Sequence, residues 1–105
     1  MFNIRAKIYL KTVEEDGHST PWFSGIRPSF NLNGELITCV VIELTGKEWM
    51  PLGHEYEVRI DFPYGDEYLD SFKPHEREEI MKNFEPGARF FLHVGAKIIA
   101  WGVVL

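Results

Sequence analysis

The side chains with the greatest capacity for chemistry are four histidines, sixteen carboxylates and a single cysteine. His18, His54, His75 and His93 stand far apart in the chain. None has the close spacing by which a helix or a knuckle presents metal ligands, so they read as surface histidines and no metal is expected. Cys39 lies inside the apolar run Ile37-Thr38-Cys39-Val40-Val41-Ile42, where a buried, inert thiol is the expectation. One cysteine allows no internal disulfide, which fits a reducing, cytoplasmic compartment. No serine sits in a G-x-S-x-G elbow, and no G-x-x-x-x-G-K-[ST] loop is present to cradle phosphates. The reading is therefore a non-enzyme with no cofactor and no GTP binding.

Binding is the remaining class of function. Arg27 beside Pro28 reads as a loop anchor, its five donors tying backbone carbonyls or an acid. Trp22 and Phe23 next to Pro21 read as a plug at one end of the fold rather than an exposed patch. Net charge is -5, which disfavours non-specific attraction to nucleic acid or an anionic membrane. From Pro63 to Pro86 seven acids face three bases, giving that segment -4; it suits a basic partner or a solvated insertion.

These residues need elements to position them. Phe2 to Lys11 places apolar side chains at every even position, the period of a half-buried strand. Glu55 to Phe62 repeats the pattern, with Tyr56, Val58, Ile60 and Phe62 inward. Glu14 to His18 is a polar turn, and Thr20 to Pro28, with two prolines and a glycine, an ordered aromatic-anchored loop. Leu36 to Leu44 is rich in β-branched residues and ends at Thr45-Gly46-Lys47. Arg89–Val94, Gly95-Ala96 and Lys97–Leu105 form a closing hairpin. Within Pro63 to Phe84, Pro74 opens one short helix whose Ile80, Met81 and Phe84 share a face, with Phe72 beside them. Strands at this spacing with one helix predict a single all-β domain, a closed barrel or sandwich. No apolar run is long enough for a membrane helix, and the first residues lack the layout of a signal peptide, so no leader is expected.

Thr20, Pro21, Phe23, Gly25, Arg27, Pro28 and Phe30 fit the pattern T-P-x-F-x-G-x-R-P-x-F, and in this the chain resembles the C-terminal (third) domain of bacterial elongation factor Tu. Met50-Pro51-Leu52-Gly53 is similar to that family's M-P-G turn, with Leu52 as an extra residue. Gly87-Ala88-Arg89-Phe90, Gly95 and Gly102-Val103-Val104 are similar to its closing signature. The resemblance implies a six-stranded antiparallel β-barrel, about 63–86 being an insertion that carries the short helix. It also implies a translation-related module that does no chemistry, and residual RNA-facing positions at His93, Ala96 and Lys97. Of these only Lys97 is positively charged, and Glu35 adds an acid where a phosphate would approach.

The last strand has Ile98 and Ala100 on one face and Ile99, Trp101, Val103 and Leu105 on the other, so both faces are apolar and one needs a cover. The leading expectation is a protein-protein interaction module meeting its partner, or a second copy, through Phe72, Ile80, Met81, Phe84, Trp101 and Val103. The alternatives are RNA or tRNA binding linked to translation, disfavoured by the charge, and an immunity or antitoxin-like inhibitor.

Overall fold

In the computed structural model, which describes residues 2–105, the two alternating segments form the centre of an antiparallel sheet. β1 (Phe2–Leu10) pairs along its length with β7 (Glu55–Phe62) on one side and with β9 (Lys97–Val104) on the other. Its even residues Ile4, Ala6, Ile8 and Leu10 point inward, as do Tyr56, Val58, Ile60 and Phe62 of β7. The remaining strands are β2 (Trp22–Phe23), β3 (Ser29–Leu32), β4 (Glu35–Thr38), β5 (Val40–Glu43), β6 (Trp49–Met50) and β8 (Arg89–Val94). Seven form one curled sheet in the order β4-β3-β8-β9-β1-β7-β5, while β2 and β6 make a separate two-stranded ribbon.

Three features differ from the sequence expectation. The run from Leu36 to Leu44 is two strands divided at Cys39, whose N–H is donated to Pro28 O at 3.1 Å. β4 pairs with β3 and β5 with β7, so the division falls where the chain changes partners. The acidic segment 63–86 holds two α-helices rather than one, α1 (Gly65–Asp70) and α2 (Pro74–Met81), followed by a 3-10 turn over Lys82–Phe84. The first helix was hidden because it is short, yet Asp66 and Glu67 in its first turn complement its dipole. In the second, Pro74 occupies the first turn and Glu76 accepts the Lys73 N–H at 3.1 Å.

The third difference is a β-bulge in the closing hairpin. Leu92 pairs with Ala100 but His93 with Ile98, which leaves Ile99 as an extra residue in β9. Strict alternation put Ile99 on the same face as Trp101; the bulge turns it inward, where it is fully buried. Inward residues of β9 are then Ile99, Ala100 and Val104, while Trp101 and Leu105 are exposed. Gly102 stands opposite Phe90, and a Cβ there would lie 2.5 Å from the Phe90 ring. Glycine is therefore required for that ring to lie across β9.

The core continues into one end as a cluster of phenylalanines. Phe30 meets Phe62, Phe84 and Phe90 at centroid distances of 5.1, 5.6 and 4.8 Å. Phe2 meets Phe62 and Phe84 at 4.9 and 5.1 Å. Phe84 ends the insertion, so this contact fastens the insertion to the sheet.

Candidate functional site

The outer face of β8, β9 and β1 collects exposed aromatic and cationic side chains. Across the ladder Phe91 stands opposite Trp101, and Trp101 opposite Tyr9; one step along, Arg89 stands opposite Val103, and Val103 opposite Lys7. Tyr9 and Trp101 stack at 4.8 Å. Phe91 is 47% and Trp101 42% exposed, high for rings in the middle of a sheet. A groove of about 320 Å³ lies here, lined by Lys7, Tyr9, Glu55, Arg89, Trp101 and Val103 with the backbone of Gly102. Among the described residues Lys7 and Arg89 take part in no ion pair, whereas the neighbouring Arg5 binds Glu57 at 2.6 Å. Tyr9 donates its hydroxyl to Glu15, and this bond is the main cause that raises the phenol and lowers the carboxyl from their ordinary values. The floor is thus a stacked aromatic pair fixed at one edge, with two cations at its side.

The surface anticipated from the sequence is divided in two. Trp101 and Val103 lie on this outer face, while the insertion residues lie elsewhere. Phe84 is buried in the phenylalanine cluster and Ile80 packs against the core. Phe72 rests on Tyr68 at 5.1 Å, and Met81 is 40% exposed. The insertion does not line the groove beside Trp101.

The three positions carried over as RNA-facing also separate. His93 is buried, which corrects its reading as a surface histidine; it stands opposite Ser29, on the face of the sheet away from Phe30 and Leu92, and is covered there beside Asn31. Asn31 Oδ1 accepts the Gly34 N–H at 2.8 Å, which turns the amide nitrogen toward His93 Nε2 at 3.1 Å. Ala96 and Lys97 are exposed at the hairpin turn, and Lys97 pairs with Asp16 at 3.4 Å.

The aromatic loop is split as well. Trp22 is fully buried opposite Met50, in keeping with a plug, but Phe23 and its cross-strand neighbour Trp49 point outward and meet edge to face at 6.2 Å. Trp49 escaped the sequence reading because a two-residue ribbon has no period to detect. Arg27 is exposed and, among the described residues, ties no carbonyl or acid, which corrects its reading as an anchor. Glu43 does the anchoring instead: its carboxylate accepts Thr45 N–H at 2.9 Å and Lys47 N–H at 2.6 Å, along with the Thr45 hydroxyl.

A second concavity of about 190 Å³ opens between β4 and α1, lined by Ile37, Thr38, Phe62, Tyr64, Gly65 and Tyr68. Tyr68 reaches across to donate to Glu35 at 2.7 Å. Burial first and Glu35 second push its phenol up to about 12, so it remains a donor at neutral pH. Cys39 is buried, as expected, and desolvation pushes its thiol up to about 12. Among the described residues no group of three or more His, Cys, Asp and Glu is placed to hold a metal ion, and no helix is long and apolar enough to cross a membrane. No protein-family model matches the chain.

Proposed function

We propose that this chain is a non-catalytic protein-binding module whose contact surface is the outer face of β8, β9 and β1. One observation carries the reading. Three rings, Phe91, Trp101 and Tyr9, follow one another across three neighbouring strands, with Trp101 and Phe91 nearly half exposed. Aromatic side chains aligned on a sheet contribute little to stability while facing water, and they are the residue types enriched at the centres of protein interfaces.

The scaffold for this module is a closed six-stranded barrel resembling the third domain of elongation factor Tu. Support comes from the seam at Cys39. β4 and β5 are consecutive, and together they join β3 at one end of the sheet order to β7 at the other. Val41 also bridges Ile26, and Gly25 N–H is donated to Val41 O at 2.7 Å, so the chain before β3 follows β5 as well. Taken as one bent strand, β4 and β5 join the two ends of the order, closure being made through β5 and β7 while the outer side of β4 stays unpaired beyond Phe62.

RNA binding is the second reading, favoured by Lys7 and Arg89 beside the Tyr9–Trp101 stack, since stacked rings with nearby cations also suit bases and phosphates. The acidic total and the burial of His93 weigh against it. Capture from a native lysate, with and without ribonuclease and at low and high salt, decides between them. The protein reading predicts a polypeptide that stays bound after ribonuclease and is lost when Phe91 and Trp101 are truncated. Release by ribonuclease, with steep salt dependence, would overturn it in favour of RNA.

A further inference from the structure

The free edge of β4 and the notch beside it point to a second, independent contact. Asn33 and Gly34 have φ of 53° and 91°, the geometry of a two-residue hairpin whose closing pair, Leu32 and Glu35, exchanges hydrogen bonds. The register then runs Asn31 to Leu36, Phe30 to Ile37 and Ser29 to Thr38. Alternation directs the backbone groups of Ile37 toward β3 and those of Leu36 and Thr38 away from it. The bond from Cys39 N–H to Pro28 O fixes the same phase.

On that outward side the chain further along is satisfied by β7, through Val40 opposite Asp61, Ile42 opposite Arg59, and Leu44 N–H donated to Glu57 O at 3.3 Å. β7 stops at Phe62 because Pro63 has no N–H and the backbone turns into α1. β4 is therefore the last strand of its sheet, and among the described residues only β3 pairs with it. Leu36 and Thr38 are exposed. Next to them lies the notch of about 190 Å³, with Ile37 and Phe62 in its wall. The lining itself is uncharged, and the elements that form it carry acids: Glu35, bonded to Tyr68, opens β4, and α1 carries Asp66, Glu67 and Asp70, the last paired with Arg77 at 3.9 Å.

We propose that this edge accepts an extended, basic peptide segment of a partner as an added strand, one apolar side chain entering the notch. Main-chain hydrogen bonds to Leu36 and Thr38 supply the pairing, and the acids select positive charge. A second copy of this chain is the wrong occupant, since edge-to-edge pairing would bring two acidic rims together. The surface is distinct from the Tyr9–Trp101 face, so each contact fails or survives separately.

The probe is a short blocked peptide of alternating lysine and valine, titrated into ¹⁵N-labelled protein. The amides of Leu36 and Thr38 should shift and gain protection from hydrogen exchange. A glutamate–valine peptide, or the lysine–valine peptide N-methylated on alternate amides, should leave them unmoved. Thr38→Pro removes an N–H that points away from β3 and should weaken binding about tenfold or more. Should that variant not fold, Glu67→Lys on the exposed face of α1 serves instead, weakening binding at low salt and much less at high salt. Truncating Phe91 and Trp101 should leave peptide binding unchanged. Unmoved Leu36 and Thr38 amides, equal binding of the glutamate peptide, loss of the peptide on truncating Phe91 and Trp101, or a dimer through this edge would each overturn the proposal.

Discussion

Glu43 shows how one carboxylate can hold a loop. It sits at the end of β5, nearly buried, where desolvation alone would raise its pKa. The hydrogen bonds from Thr45 and Lys47 outweigh that burial and leave its pKa lowered. A lowered carboxyl contributes stability that is present above its ordinary value and is lost as pH falls through the folded one. Glu43→Ala should therefore cost about 1–3 kcal/mol in urea unfolding at neutral pH, and less in acid. Cys39 carries the opposite shift. Its thiol, pushed up to about 12 by burial, contributes stability that is present below the ordinary thiol value and lost as pH rises through the folded one. At neutral pH a thiol reagent should modify Cys39 only at the rate of global or local opening, and the modification should speed up with urea. Rapid labelling of the native protein would show that the β4–β5 seam is open.

At the level of elements, what the sequence revealed depended on the length of the repeat. β1 and β7 alternate over 9 and 8 residues, and the structure keeps their inward residues as anticipated. The Ile99 bulge could not be read that way, because a single inserted residue reverses the parity of everything beyond it. β3 and its hairpin to β4 went unread, although Asn33-Gly34 is a strong turn signal. The helical stripe was only partly informative. Phe84, in the 3-10 turn that follows the helix, enters the core, while Met81 at the end of the helix is 40% exposed. Phe84→Ala should thus cost about 3–5 kcal/mol, and Met81→Ala no more than about 0.5 kcal/mol, as chemical denaturation would measure. Equal losses at the two positions would mean that the insertion is fastened differently. Gly102→Val should destabilise by about 1–3 kcal/mol, because the new side chain meets the Phe90 ring.

Across the whole molecule, charge and apolar surface are divided between different regions. The acids concentrate between Pro63 and Pro86, a segment that Phe84 and Ile80 fasten to the core, while Phe91 and Trp101 are exposed together on the outer face of β8 and β9. Composition revealed the acidic block, and the last strand revealed an apolar face in excess of what a core needs. Neither could show that the two do not cover each other, since that depends on how the insertion leaves Phe62 and returns before Arg89. The aromatic neighbours Tyr9 and Phe91 escaped notice for the same reason: they meet Trp101 only through strand register. The central claim is that this face contacts a protein and is not part of the folding core. Its most direct test is the affinity of the captured partner for a Phe91→Ser, Trp101→Ala double variant, measured by calorimetry alongside thermal unfolding. Affinity should fall at least about a hundredfold, as for two interface anchors, while the melting temperature changes by only a few degrees. Unchanged affinity in a folded double variant would contradict it, and so would a variant that no longer folds.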